Sequence, residues 1–491
     1  MCRVLSENSN KVCAYDSPAL MALPNSRKRP RQYDQSAFAA LTGVESSTFF
    51  ERYWEQELLV SSNATRRLPD GLLTDLPCFS NLLEMLHVHS KLHSGAVLHF
   101  KDQHPTQEYA SCAAAYLDGA SIIVNHAEAM SSGVAALCKR LREEFPHAFA
   151  NLYLTPPAAQ AVDAHADDRD VLVIQLEGEK QWMVYDGPPP VAFPSHAEQV
   201  GKAGLPVPPV SLERGSKCDL ARGDVLYVPR GFVHEAKTKD SAPSLHLTVA
   251  LPSADWSWAS LVGDAEAADH QRSDEAGLGN GIDRPKQSTS SRPGGGELVR
   301  SLRAVEATSR GPWFWRRSVP PTLASAAPPE VAMRLAFDVE EELGLEPQGV
   351  LRDLLLQRAA LHNIRQDAAA ASGAVALDAS RAAKDIFASP TLLVRRRRED
   401  EPPHACSVAP PGGEAGFMAR EEIADTLLAT LARLNDTDWS SVAAFDDGPL
   451  LCAFSKACFA QVCMDGGLLL GMVPEAEPRQ GRSSLRQVDG K

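Results

Sequence analysis

His165-Ala166-Asp167 places an imidazole and a carboxylate two residues apart. On a β-strand, side chains at i and i+2 share a face. A second imidazole brought in from another strand would complete a set of two histidines and one carboxylate. Such a set grips a divalent metal from one side and leaves its other positions open, as in non-haem Fe(II) oxygenases. The His-x-acidic pattern alone decides nothing. With 14 histidines and 63 acidic residues in 491, about two matches are expected by chance. Three occur, at His126, His165 and His196.

The second half of the pattern separates them. Gly223-x5-Pro229-x-Gly231-x2-His234 fits the second motif of cupin barrels, Gly-x5-Pro-x-Gly-x2-His. Its chance expectation in this composition is roughly 0.004. Gly223-Asp224 turns the chain into an apolar strand at 225–228, and Pro229 and Gly231 bend it so that His234 is aimed into a barrel. The 69 residues between His165 and His234 leave room for intervening strands. Gly178-Glu179 reads as a hairpin turn, with Lys180 opening a returning strand at 181–185. A lysine at the head of an apolar strand calls for a fixed anionic partner.

Around these residues the chain resembles a known family. NLYLTPPAAQAVDAHADDRDVLVIQLEGEKQWMVY (151–185), GDVLYVPRGFVHEA, SLHLTVA and the upstream FFERYWEQELLV are similar to the JmjC-type ribosomal oxygenases. These are cupin-fold, 2-oxoglutarate-dependent histidyl hydroxylases and lysine-specific demethylases. The resemblance covers most of 45–480, dense in the barrel and thin beyond it. It implies Fe(II) on His165, Asp167 and His234, 2-oxoglutarate on Lys180 and O2 as oxidant. It also implies substrate contacts at Asn151 and Tyr153. Two positions depart from the family: Ala166 stands where an aromatic is frequent. Ala250 stands where a small hydroxyl residue is expected, four places after His246, and is read as a substrate-contacting position.

The elements around these residues read as a β-rich domain. Short β-branched or alternating runs at 96–100, 121–124, 152–155, 171–176, 181–185, 225–228 and 244–251 predict many short antiparallel strands. Thr48-Phe-Phe-Glu51 reads as a capping box opening a helix through Tyr53, Trp54 and Leu58. A second helix is expected over 133–144. Together with the resemblance, this pattern implies a mainly β catalytic domain, a double-stranded β-helix of the cupin/JmjC jelly-roll type, and the resemblance implies an all-α dimerisation region and a winged-helix module after it.

The expected boundaries are a disordered basic arm over 1–40, the catalytic domain over 45–263 and a linker over 264–296. A helical region spans 297–385, a winged-helix-like domain 386–475 and a disordered tail 476–491. Leu298, Leu302 and Val305 share a helical face, and helices at 331–343 and 350–362 follow, with an Ala- and Gly-rich break at 366–379. Leu343, Leu345, Val350, Leu354 and Leu355 leave apolar surface for a homodimer. Ile423, Leu427, Leu431 and Leu434, a helix near 455–464, Gly466-Gly467 and strand 468–470 suggest the winged helix. Further breaks are expected at 399–416.

A net charge of −14 argues against whole-surface nucleic-acid binding; any such contact would be weak and confined to the winged helix. Arg395–Arg398 are followed at once by acidic residues and read as a solvated face. His87, His89, His93, His99 and His104 read as surface residues, and Trp313, Phe314 and Trp315 as core. No apolar stretch reaches the ~20 residues of a membrane span, no secretory signal is evident, and ten cysteines without a CxxC suit a reducing compartment. The run Arg27-Lys28-Arg29-Pro30-Arg31 leads us to expect nuclear, nucleolar residence.

Three functions remain open at this point. One is hydroxylation of a ribosomal protein, on histidine. Another is demethylation of a histone lysine. A third is a non-catalytic nuclear interaction protein, against which four such residues together argue.

Overall fold

The computed structural model describes residues 36–263, 310–401, 421–445 and 452–474, apart from 69–71, 73–75, 94, 107–108, 187, 203, 252, 346 and 384. The basic run at 27–31, the linker, the Leu298–Val305 face and the C-terminal tail lie outside these residues.

The strands are β1 (Leu59–Ser61), β2 (Val97–Lys101), β3 (His104–Thr106), β4 (Ser121–Val124), β5 (Phe149–Thr155), β6 (Asp170–Tyr185), β7 (Gly215–Ala221), β8 (Val225–Val228), β9 (His234–Lys237) and β10 (Ser244–Leu251). They hydrogen-bond in the order β1-β8-β6-β10-β5-β4-β2-β3, with β7 and β9 also on β6. All these ladders are antiparallel. The domain is thus a mainly antiparallel, cupin-type β structure, as the strand pattern predicts.

The expected hairpin at Gly178-Glu179 is absent. Residues 170–185 are one continuous strand of 16 residues. Its first half pairs with β8 and β10, and its second half with β7 and β9. The sequence misleads here because glycine serves a bulge as readily as a turn. Opposite the Leu245–His246 step, β6 carries one extra residue between Gln175 and Glu177. Gly178 then adopts φ +66°, and a Cβ there would lie 1.9 Å from the Pro243 carbonyl oxygen. The extra residue reverses the alternation of faces. Before it Val171 and Val173 point to the pocket; after it Lys180 and Trp182 do.

Order begins earlier than residue 45. Helix α1 (Ala37–Thr42) is capped by Ser36, and Phe38 is fully buried against Phe49 and Phe145. The Thr48 capping box does not form: α2 (Ser46–Arg52) begins two residues earlier without a side-chain cap. It stops before Tyr53 because Glu55 takes a left-handed backbone, φ +54°. Helices α3 (Leu82–Leu92), α4 (Cys112–Leu117) and α5 (Ser132–Leu141) complete the first core with one face of the sheet.

Helices α6 (Pro312–Arg316), α7 (Glu330–Glu342) and α8 (Val350–Ala382) follow. The Ala-rich break at 366–379 does not exist: α8 runs unbroken for 33 residues. Alanine is the strongest helix former, and tertiary packing accounts for the glycine. A Cβ at Gly373 would sit 1.8 Å from the Ala129 carbonyl oxygen, so only glycine lets α8 lie on the β-rich domain. Leu351 and Leu355 are buried with Trp256, Trp258 and Trp315 in a second core, which supplies partners within the chain for part of the apolar surface assigned to a dimer. Trp315 is core as expected; Trp313 is 57% exposed.

The C-terminal unit holds β11 (Leu393–Arg396), α9 (Glu421–Arg433), β12 (Ser440–Ser441), α10 (Ala453–Asp465) and β13 (Leu469–Met472), in a sheet ordered β12-β11-β13. Arg395 pairs with Glu401, and Arg398 lies 3.5 Å from Asp436, so these charges are answered locally. No helix among the described residues is long and apolar enough to cross a membrane.

Candidate metal and co-substrate site

His165 and Asp167 lie on the segment leading into β6, and His234 opens β9. The segment and the strand are joined where the His165 and His234 backbones exchange hydrogen bonds of 3.0 and 2.9 Å. The reciprocal pair fixes the two imidazoles side by side, with ring centroids 4.5 Å apart. One ligand atom from each of His165, Asp167 and His234 falls within a 4.8 Å set, the one such group among the described residues. The histidines of α3 and the strands after it form no comparable set, although His89 is buried, contrary to the surface reading.

The chemistry of the donors suits a divalent cation. His165 Nδ1 lies 2.7 Å from the Asp163 carbonyl and His234 Nδ1 3.0 Å from the Phe232 carbonyl. A carbonyl only accepts, so each Nδ1 carries the proton and each Nε2 presents its lone pair. These Nε2 atoms face the carboxylate, at 4.0 Å for His165 and 3.6 Å for His234. Burial lowers the pKa of both rings and keeps them neutral, as ligands must be. Burial would raise the Asp167 pKa, but the Lys202 ammonium bonded to it outweighs burial and holds the carboxyl well below the usual range.

Lys180 is 2% exposed. Its Nζ donates to Thr155 Oγ1 at 2.9 Å, and no carboxylate among the described residues pairs with it. Burial pushes its pKa down to about 7. A buried ammonium without a counter-ion, in the pocket that holds the triad, fits an anionic co-substrate.

The pocket is small, about 60 Å3, and is also lined by Tyr153, Trp182, His246 and Thr248. Tyr153 and His246 stack at 4.9 Å, almost parallel. Asn151 is one step farther along the same face of β5, where its Oδ1 accepts the His126 amide. Ala250 is buried opposite Phe149 and Val171 and does not line the pocket. Tyr153 and Thr248 line it with hydroxyls and Thr155 touches its lining, so losing one at 250 does not strip the pocket of donors. Ala166 packs with Val200 and Val233, where an aromatic would have to displace the 200–205 loop.

Sequence reading missed Lys202. Its Nζ lies 2.5 Å from Asp167 Oδ1. Gly201, at φ +75°, sets it there: a Cβ at this position would meet the Ala164 carbonyl oxygen at 2.2 Å. The signal in the sequence was only a glycine beside a lysine in a loop.

Residues 125–258 match the family model described as JmjC domain. The chain is 32% identical over 226 residues to a bifunctional lysine-specific demethylase and histidyl-hydroxylase NO66 of Drosophila grimshawi, covering 43% of this chain and 30% of that protein. It is 31% identical over 257 residues to ribosomal oxygenase 1 of Rattus norvegicus, covering 48% of this chain and 40% of the relative. The matched region thus spans less than half the length of these curated relatives. The resemblance to the ribosomal oxygenases holds for this region. YcfD, a ribosomal oxygenase from Escherichia coli solved with cobalt and 2-oxoglutarate, aligns over 87% of this chain and 97% of its own, at 16% identity and a TM-score of 0.34.

Proposed function

We propose that the chain is an Fe(II)- and 2-oxoglutarate-dependent protein hydroxylase acting on a histidine of a ribosomal protein. One observation carries this reading. A triad with lone pairs converging on one point and a buried ammonium without a counter-ion share a single pocket. His165, Asp167 and His234 hold the iron, and Lys180 with Thr155 anchors the distal carboxylate of 2-oxoglutarate. When bound there, iron supplies the oxidising chemistry that inserts one oxygen of O2 into a substrate C–H bond while 2-oxoglutarate is converted to succinate and CO2. The protein's part is positional. The Asp163 and Phe232 carbonyls orient the imidazoles, Trp182 and Val173 exclude water, and Tyr153 stacked on His246 forms a flat wall on which a substrate side chain can lie. The names of the relatives support this reading and also raise lysine demethylation, in which the same oxygen insertion at an N-methyl group releases formaldehyde. Mass spectrometry of candidate ribosomal and histone peptides tests both: a gain of one oxygen on histidine is expected. Loss of a methyl group with formaldehyde in its place would move the activity to demethylation.

For assembly we infer a homodimer with the C-terminal unit as a winged helix beside it. The support lies on α8. Leu361, Ile364 and Val375 are 59%, 66% and 70% exposed, and with Ala368 and Ala371 they repeat at a and d spacing. Ile364→Glu is expected to turn a dimer into a monomer by light scattering; an unchanged mass rejects this face. Nuclear, nucleolar residence through Arg27–Arg31 is a proposal on sequence grounds, and deleting 27–31 should move a fluorescent fusion to the cytoplasm.

A further inference from the structure

Outside the metal pocket lies a second, larger recess of about 630 Å3. It is lined by Asp163 and Ala164, by Tyr185 and Glu235, and by the loop that carries Leu205, Pro206 and Leu212. Lys202 lines both the recess and the metal pocket, so the two spaces meet at this side chain. Whatever enters the metal pocket from this side must first lie in the recess.

The walls have a definite chemistry. Leu205 and Leu212 are 40% and 39% exposed, which makes one bank an apolar ledge open to solvent. The charge on the other surfaces is acidic. Glu235 is held in place by two neutral donors, the Tyr185 hydroxyl at 2.5 Å and Gln160 Nε2 at 3.1 Å, and no ion pair to it is formed among the described residues. Asp163 is exposed, and only its backbone carbonyl is engaged, by His165. The one ammonium in the lining, Lys202, is occupied by Asp167. The recess therefore presents two carboxylates without a cation beside an apolar ledge.

We propose that this recess holds an extended segment of the protein substrate, with a lysine or arginine next to the reacting residue seated between Asp163 and Glu235 and an apolar side chain on the Leu205–Leu212 ledge. The proposal rests on the hydroxylase reading for its purpose but not for its test. Complementary charge draws in a basic segment and fixes its register; the ledge supplies the apolar contact that peptide grooves need. As Asp163 and Ala164 directly precede His165, a peptide anchored there is delivered beside the metal ligands.

The experiment uses the full chain loaded with Mn(II) and a fluorescein-labelled short peptide, a central histidine flanked by two lysines and a leucine. A twin carries glutamates for the lysines, and anisotropy reads the binding. The lysine peptide is expected to bind roughly tenfold tighter, as two partly screened ion pairs allow. The preference should shrink at high salt. In the double variant Asp163→Asn, Glu235→Gln it should disappear, and Leu205→Ser should weaken both peptides alike. Equal binding of the two peptides, or a preference that survives the double variant, overturns the proposal. Binding with the preference but no added oxygen under iron, 2-oxoglutarate and O2 leaves the groove standing and removes the hydroxylase reading. Equal hydroxylation of both peptides does the reverse.

Discussion

Asp167→Ala is expected to abolish binding of a divalent cation while the chain stays folded. Asp167 is the one anionic ligand of the triad; without it two neutral imidazoles remain, beside a Lys202 ammonium that has lost its partner. Losing even an outer partner of a ligand typically weakens a metal site about 10–100-fold, so removal of the ligand itself, with a cation left facing the gap, must exceed that. The fold should tolerate it because His165 and His234 are fixed by backbone hydrogen bonds that do not involve the carboxylate. Titration with Mn(II), read by calorimetry, is expected to show one ion per chain for the parent and none for the variant. Stoichiometric binding with an unchanged Kd would remove the triad assignment, as would undiminished succinate formation.

Lys180→Met is expected to move affinity and stability in opposite directions. Methionine fills the same slot without the charge. A 2-oxoglutarate carboxylate seated there would then be buried unpaired, at about 3–5 kcal/mol, or roughly two to nearly four orders of magnitude in Kd. Without the co-substrate the change should raise Tm. Burial holds the Lys180 pKa at about 7, below the ordinary 10.5. The folded state therefore binds fewer protons than the unfolded chain between those values, and stability rises with pH across that window. The penalty is complete below about 7, which is where the Met variant should gain most. The pH dependence of binding has the opposite slope. An anion needs the protonated lysine, so the Kd for 2-oxoglutarate should be level below about pH 7 and then climb towards tenfold per unit above it. A flat profile, or a variant that binds as the parent does, would place the co-substrate elsewhere.

The site was legible in the sequence where spacing encodes geometry. His165 and Asp167 are two apart, and the Gly-Pro-Gly-His motif bends His234 towards them, so three residues distant in the chain could be joined on paper. Strands 121–124, 225–228 and 244–251 were read to the residue, because each is a β-branched run closed by turn residues. What was lost depended on contacts that no local pattern records. Gly178, two residues past the bulge at Leu176, lies against the Pro243 carbonyl and Gly373 makes a helix contact, yet both look like breaks, since glycine marks close approach and chain reversal alike. Lys202 reaches Asp167 through a loop whose path only the folded chain defines. Ala250 rests on the family resemblance alone; the register of β10 sets it opposite Phe149 and Val171, one step past Thr248 and just outside the pocket's lining.

The continuous strand β6 also bears on how this domain can vary in length. Side chains on a strand alternate, and the extra residue between Gln175 and Glu177 is what turns Lys180 inward. Adding or deleting one residue between 171 and 180 would rotate Lys180 and Trp182 to the outer face while leaving the hydrophobic composition untouched. The 186–214 segment, which closes the path from β6 to β7, faces no such parity rule. Length variation compatible with catalysis should thus accumulate in that loop, where it would reshape the groove walls, and be excluded from the strand. Under the proposed function, insertions there would retune which proteins are accepted long before they disturbed the oxidation itself.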